Sequence, residues 1–68
     1  IAENTCVLSR REAEILQAIA DGLTNTDIAD KLYISLSTVK SHIASIFRKL
    51  EVKSRVMAVE KARQMGII

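Results

Sequence analysis

The 68-residue chain has no proline and no tryptophan, one cysteine, two glycines and two aromatic residues, Tyr33 and Phe47. Without proline, no position is barred from a helix interior. A lone Cys6 excludes an internal disulfide, and no cluster of His, Asp or Glu surrounds it to hold a metal. No stretch approaches the roughly 18 consecutive apolar residues of a membrane span. No secretory signal pattern opens the chain. It therefore reads as a soluble, cytoplasmic domain without membrane contact. A chain that opens on Ile1 also reads as a piece of something longer.

Catalytic signatures are missing as well. There is no nucleotide loop, no metal cluster and no paired-carboxylate site. His42 is the sole histidine, without a Ser, Cys or acid placed around it in a catalytic arrangement. No enzyme activity and no cofactor are expected. What is present is aliphatic: 49% of residues are hydrophobic, mostly Ile, Leu, Val and Ala. A chain this short buries only roughly 60% of its unfolded surface, so these residues are needed to close a core and not to line a pocket.

The net charge of +2 conceals a division. Residues 1–30 set two arginines against six acids, a net of −4. Residues 31–68 set eight cations against Glu51 and Glu60, a net of +6. An excess of cations in one half points to a polyanionic partner.

Helical spacing organises the rest. Residues 1–8 lack periodicity and read as a linker or tail that includes Cys6. The domain proper runs over 9–68. Ser9 and Glu12 form a capping box, and Ile15, Leu16, Ile19 and Ala20 repeat behind it, predicting a first helix over 10–21. Gly22 suits the left-handed position that ends a helix. Thr24 to Asp27 is a second capping signature, and Ile28, Ala29 and Leu32 make the stripe of a short helix over 25–32. Tyr33-Ile34-Ser35 is a tight connection in which Ser35 caps the next helix. That helix spans 36–50, about 22 Å at roughly 1.5 Å per residue. Ser54 caps a last helix over 55–65 with Val59, Ala62 and Met65 inward, and Gly66 stops it. The fold class is all-α, a compact four-helix domain.

On the third helix, Val39, Ile43, Ile46 and Leu50 share an apolar face flanked by His42 and Phe47. The opposite face carries Ser37, Lys40, Ser41, Ala44, Ser45 and Arg48. It is small, polar and edged with cations, and it lacks the acids that pair with lysine on an ordinary solvated helix. Small side chains let a helix axis approach another surface closely. A short helix, a tight turn and a longer helix of this kind describe a helix-turn-helix. Thr24, Asn25 and Thr38 lie near helix N-termini, where free N–H groups favour phosphates. Read as plain caps, the same residues need no ligand.

The chain resembles the LuxR-type, or FixJ/NarL-type, DNA-binding domain of bacterial transcription regulators. The match runs over about residues 8–66. It rests on Leu8-Ser9-x-Arg11-Glu12-x-Glu14-Ile15-Leu16, Gly22-Leu23-Thr24-Asn25-x-x-Ile28-Ala29 and Leu32-x-Ile34-Ser35-x-x-Thr38-Val39-Lys40-x-His42. Lys49-Leu50-x-Val52-x-x-Arg55-x-x-Ala58-Val59 completes it. The segments 32–38 and 62–68 look somewhat like the large ATP-dependent, MalT-like members.

The resemblance implies double-stranded DNA as partner, a third helix in the major groove and a fourth that pairs two copies. By it, Lys40, Ser41 and Ala44 stand where the family reads base edges. Thr24, Asn25, Thr38 and Lys40 stand where it grips phosphates, with Arg48, Lys49, Lys53 and Arg55 as additions. Val56, Met57 and Glu60 fall on the dimer face of the last helix, and RNA polymerase is a further candidate partner. Glu12 and Leu16 match scaffold positions.

Four residues depart from the pattern. Leu36 replaces a polar residue, and Thr26 replaces a basic one. Glu51 stands where glycine is common. Ala44 cannot hydrogen-bond a base, which shifts specificity toward Lys40, Ser41, Ser45 and Arg48. The alternative reading is a protein-interaction module that docks a partner through its exposed helix face, using Leu36 and Met57.

Overall fold

The computed structural model describes residues 8–68. Cys6 and the rest of 1–7 lie outside the described residues. Four helices follow in order: α1 (Arg10–Ala20), α2 (Asn25–Leu32), α3 (Leu36–Leu50) and α4 (Arg55–Gln64). α1 and α4 each end one residue earlier than their spacing predicts.

All four helices begin in one way. Ser9, Thr24, Ser35 and Ser54 are extended cap residues whose hydroxyl oxygens accept the backbone N–H three positions on, at 3.1–3.2 Å. Each such cap contributes about 1 kcal/mol. In α1 and α2 the box is closed by Glu12 and Asp27, whose carboxylates accept the cap N–H at 2.9 and 3.1 Å.

The helices also end in one way. A residue at positive φ is followed by an aliphatic residue whose N–H reaches back to a carbonyl five positions earlier. These bonds run from Leu23 to Ala18, Ile34 to Ala29, Val52 to Phe47 and Ile67 to Ala62, at 2.9–3.1 Å. The closure satisfies carbonyls the helix leaves open and drops a hydrophobic side chain onto the core. Glycine holds the positive-φ place after α1 and α4, at Gly22 and Gly66. After α2 and α3 it is held by Tyr33 and Glu51, both at φ 59°. Glu51 thus adopts the conformation glycine would, and the turn after α3 keeps its form.

The core is aliphatic. Ile15 and Leu16 of α1, Ile28 of α2, and Val39, Ile46 and Leu50 of α3 are sealed from solvent. Full burial of such a side chain stabilises by about 1.5–3 kcal/mol. α4 contributes Ala58 and Ala62, one turn apart and fully buried, so its backbone lies close to α1 and α3. α3 packs against all three other helices, whereas α2 and α4 do not pack on each other.

Two expectations need correcting. Leu8, placed at the end of the linker, is buried in the core, because the cap at Ser9 turns the chain back over the bundle. Met65, expected inward, is exposed. It is the C-cap of α4, and Ile67 and Ile68 pack against the core in its place.

Candidate nucleic-acid interface

Because α3 turns Val39, Ile46 and Leu50 into the core, its opposite face is fixed in solvent. Leu36, Ser37, Lys40, Ser41, Ala44 and Arg48 are exposed there. Among the described residues, neither Lys40 nor Arg48 forms an ion pair, and no carboxylate lies on this face within α3. The surface is therefore cationic, low in relief and narrow. A major groove about 12 Å wide admits a helix of this kind.

α2 stands beside it with its N-terminus free. The Thr24 oxygen accepts the Asp27 N–H, which leaves the Thr24 hydroxyl proton to donate elsewhere. Thr38 sits at the start of α3 with its Oγ1 2.9 Å from Ser35 Oγ. Lys53 is exposed in the α3–α4 connection, and Val56, Met57 and Glu60 are exposed on α4. Val56 and Met57 are 68% and 49% exposed.

Three predicted contacts are engaged inside the protein. Lys49 Nζ lies 2.8 Å from Glu12 Oε1, so its charge is neutralised within the fold. Burial by itself raises the Glu12 pKa. The bonds from Lys49, the Ser9 N–H and the Ser45 hydroxyl outweigh it and lower the carboxyl from 4.5 to about 2. Ser45 is accordingly half-buried and faces Glu12, unlike its exposed neighbours Ser41 and Ala44. Arg55 is half-buried too. Its two terminal nitrogens donate to Asn25 Oδ1 at 2.8 Å and to the Leu23 carbonyl at 2.9 Å.

These bonds span 37 and 30 residues in sequence, a separation at which residue spacing carries no signal. Glu12 was assignable to the scaffold, but the lysine it holds was not. Tyr33, 93% exposed, was also missed as a surface feature. It borders an open cleft of about 530 Å³ between α1 and the end of α2, lined also by Arg11, Glu14, Gln17, Ala18, Lys31 and Leu32. That cleft contains no residue of α3. Half-buried His42 sits at the core's edge, as its place on the helix predicts. No helix is long and apolar enough to cross a membrane among the described residues.

Known proteins share this arrangement. The model of the family described as bacterial regulatory proteins, luxR family, matches residues 6–62. The chain is 47% identical over 60 residues to the uncharacterized response regulatory protein YgeK of Escherichia coli (strain K12), covering 88% of this chain and 41% of that protein. It superimposes on the response regulator ChrA of a heme-sensing two-component system with a TM-score of 0.87 and 49% identity, covering 90% of this chain and 30% of ChrA. The transcription factor GerE gives a TM-score of 0.86 at 34% identity, covering 90% of this chain and 91% of GerE. Two of these three are response regulators by name, and none is named as the large ATP-dependent type that residues 62–68 suggested. The chain spans less than half the length of the curated relatives it matches. With four capped helices, a helix-turn-helix and an acid-free outer face on α3, the chain belongs to the luxR family of bacterial regulatory proteins, a DNA-binding domain of transcription regulation and not an enzyme.

Proposed function

We propose that the domain binds specific duplex sites as a pair of copies and serves as the output unit of a cytoplasmic regulator, with α3 in the major groove. Lys40 and Ser41 read base edges. Ala44 lets the helix axis approach and offers a methyl group to a thymine. Thr24, Asn25, Thr38, Arg48 and Lys53 hold phosphates on either side. Lys49 supports α3 from inside through Glu12, and Ser45 shares that task. α4 pairs the copies through Val56, Met57 and Glu60.

The observation that carries this reading is the exposed α3 face, which holds two unpaired cations and no acid beside the free N-terminus of α2. Salt dependence tests it. Each neutralised phosphate contributes about −0.9 to the slope of log K against log salt, so three cations per copy give about −5 for a bound pair. Fluorescence anisotropy on a labelled duplex from low to moderate salt measures the slope. No duplex binding at low salt, with a protein partner still captured through Leu36 and Met57, would favour the docking module instead.

A further inference from the structure

α2 and α4 do not pack against each other, yet one side chain joins their first residues. Arg55 opens α4 and Asn25 opens α2. The guanidinium forks between two acceptors, Asn25 Oδ1 at 2.8 Å and the Leu23 carbonyl at 2.9 Å. The second bond anchors the arginine to the backbone just ahead of the Thr24 cap. The first fixes the asparagine.

An arginine has donors only, so the amide prong it meets must be the oxygen. The Nδ2 prong, with both its N–H bonds, is thereby directed away from Arg55. Asn25 is half-buried, so a freely flipping amide would present its oxygen to an approaching phosphate about as often as its nitrogen. An oxygen facing a phosphate oxygen repels it, whereas an N–H donates to it.

We infer that Arg55 is a positioning residue for DNA binding, one that locks the Asn25 amide with its N–H groups available to a phosphate and does not itself grip the DNA. The inference rests on the reading of Asn25 as a phosphate contact. It reassigns Arg55, which the family resemblance places among the phosphate ligands. It also makes the start of α4 a part of the DNA-binding apparatus distinct from the exposed face of that helix.

Four variants test it by anisotropy on one duplex: Asn25→Ala, Arg55→Met, Arg55→Lys, and Arg55→Met combined with Asn25→Ala. Thermal unfolding and helical content are followed in parallel. Loss of one charge-assisted hydrogen bond is worth about tenfold in affinity, so Asn25→Ala should weaken binding by about that factor. Arg55→Met should do the same, and the double variant should be no weaker than either single one, the signature of residues acting through each other.

Arg55→Lys is the sharper arm. It keeps the positive charge but cannot fork to two acceptors, so it should bind as poorly as Arg55→Met while remaining folded. The salt slope should be unchanged in both, since no phosphate contact is removed. Full binding by Arg55→Lys, additive losses in the double variant, or a slope reduced by about 0.9 in Arg55→Met would overturn the inference and return Arg55 to the phosphates. If Asn25→Ala binds as tightly as the parent, the reading of Asn25 itself fails.

Discussion

Replacing Glu12 with glutamine isolates the ion pair that holds α3 to α1. The amide oxygen of glutamine still accepts the Ser9 N–H, as a capping box allows, but it presents no charge to Lys49 Nζ at 2.8 Å. The Glu12 carboxyl titrates at about 2 in the folded chain, against an ordinary 4.5. Because the folded value is the lower one, the stabilisation is complete above pH 4.5 and is lost as the pH falls toward 2. The full displacement corresponds to about 3 kcal/mol. The Lys49 side chain is 39% exposed, however, and solvent screening reduces this to about 1–2 kcal/mol.

In a domain of this size each kcal/mol moves Tm by about 4–8 °C. Far-UV circular dichroism should therefore show Glu12→Gln melting about 5–15 °C below the parent at pH 7, with the gap closing between pH 4.5 and 2. Lys49→Met provides the complementary arm. It leaves a carboxylate that is 6% exposed without its ammonium, so the loss at pH 7 should be at least as large and should shrink as acid neutralises Glu12. A gap that stays constant from pH 7 to 2 in both variants would refute the reasoning, since the pair would then be contributing through packing and not through charge.

Further consequences concern the surface. Lys40→Ala should cost about 1–3 kcal/mol on the preferred duplex if Lys40 reads a base edge, and it should relax the preference at one base position. A selection or competition series over all four bases at each position measures this, and equal loss on every sequence would make Lys40 a phosphate contact. Met57→Glu should abolish cooperative binding to a duplex with two half-sites while leaving single-site affinity within about twofold, because rim and surface changes away from a contact are nearly neutral. Glu51→Gly removes a side chain at φ 59° and a carboxylate at the negative end of α3, and it should raise Tm through about 0.5–1 kcal/mol of relieved strain. An unchanged or lower Tm would show that glycine's greater unfolded entropy outweighs that relief.

The near agreement of helix boundaries has a simple origin. Helix starts here are marked by short-range chemistry, a hydroxyl residue followed three positions later by a backbone N–H it can reach, and that signal lies wholly within four consecutive residues. Two of the four endings were visible for the same reason, because Gly22 and Gly66 announce a positive φ. The endings at Tyr33 and Glu51 carry no such marker. They become intelligible only through the aliphatic residue that follows each, since Ile34 and Val52 gain the core when the preceding residue takes the left-handed turn.

Spacing along the chain by itself determined the four helices, the buried stripe of α3 and therefore the identity of its exposed, acid-free face. A helix's periodicity is a local property, and once Val39, Ile46 and Leu50 turn inward, Lys40, Ser41, Ala44 and Arg48 have no other place to be. Which cations remain available to a partner was decided by the tertiary structure. Lys49 and Arg55 look like Lys40 and Arg48 in the sequence, but the crossing of α3 over α1 brings Lys49 to Glu12. The start of α4 likewise lies where Arg55 reaches Leu23 and Asn25. Long flexible side chains find their partners across elements, and only the relative placement of whole helices determines whether a charge faces solvent or an acceptor within the fold.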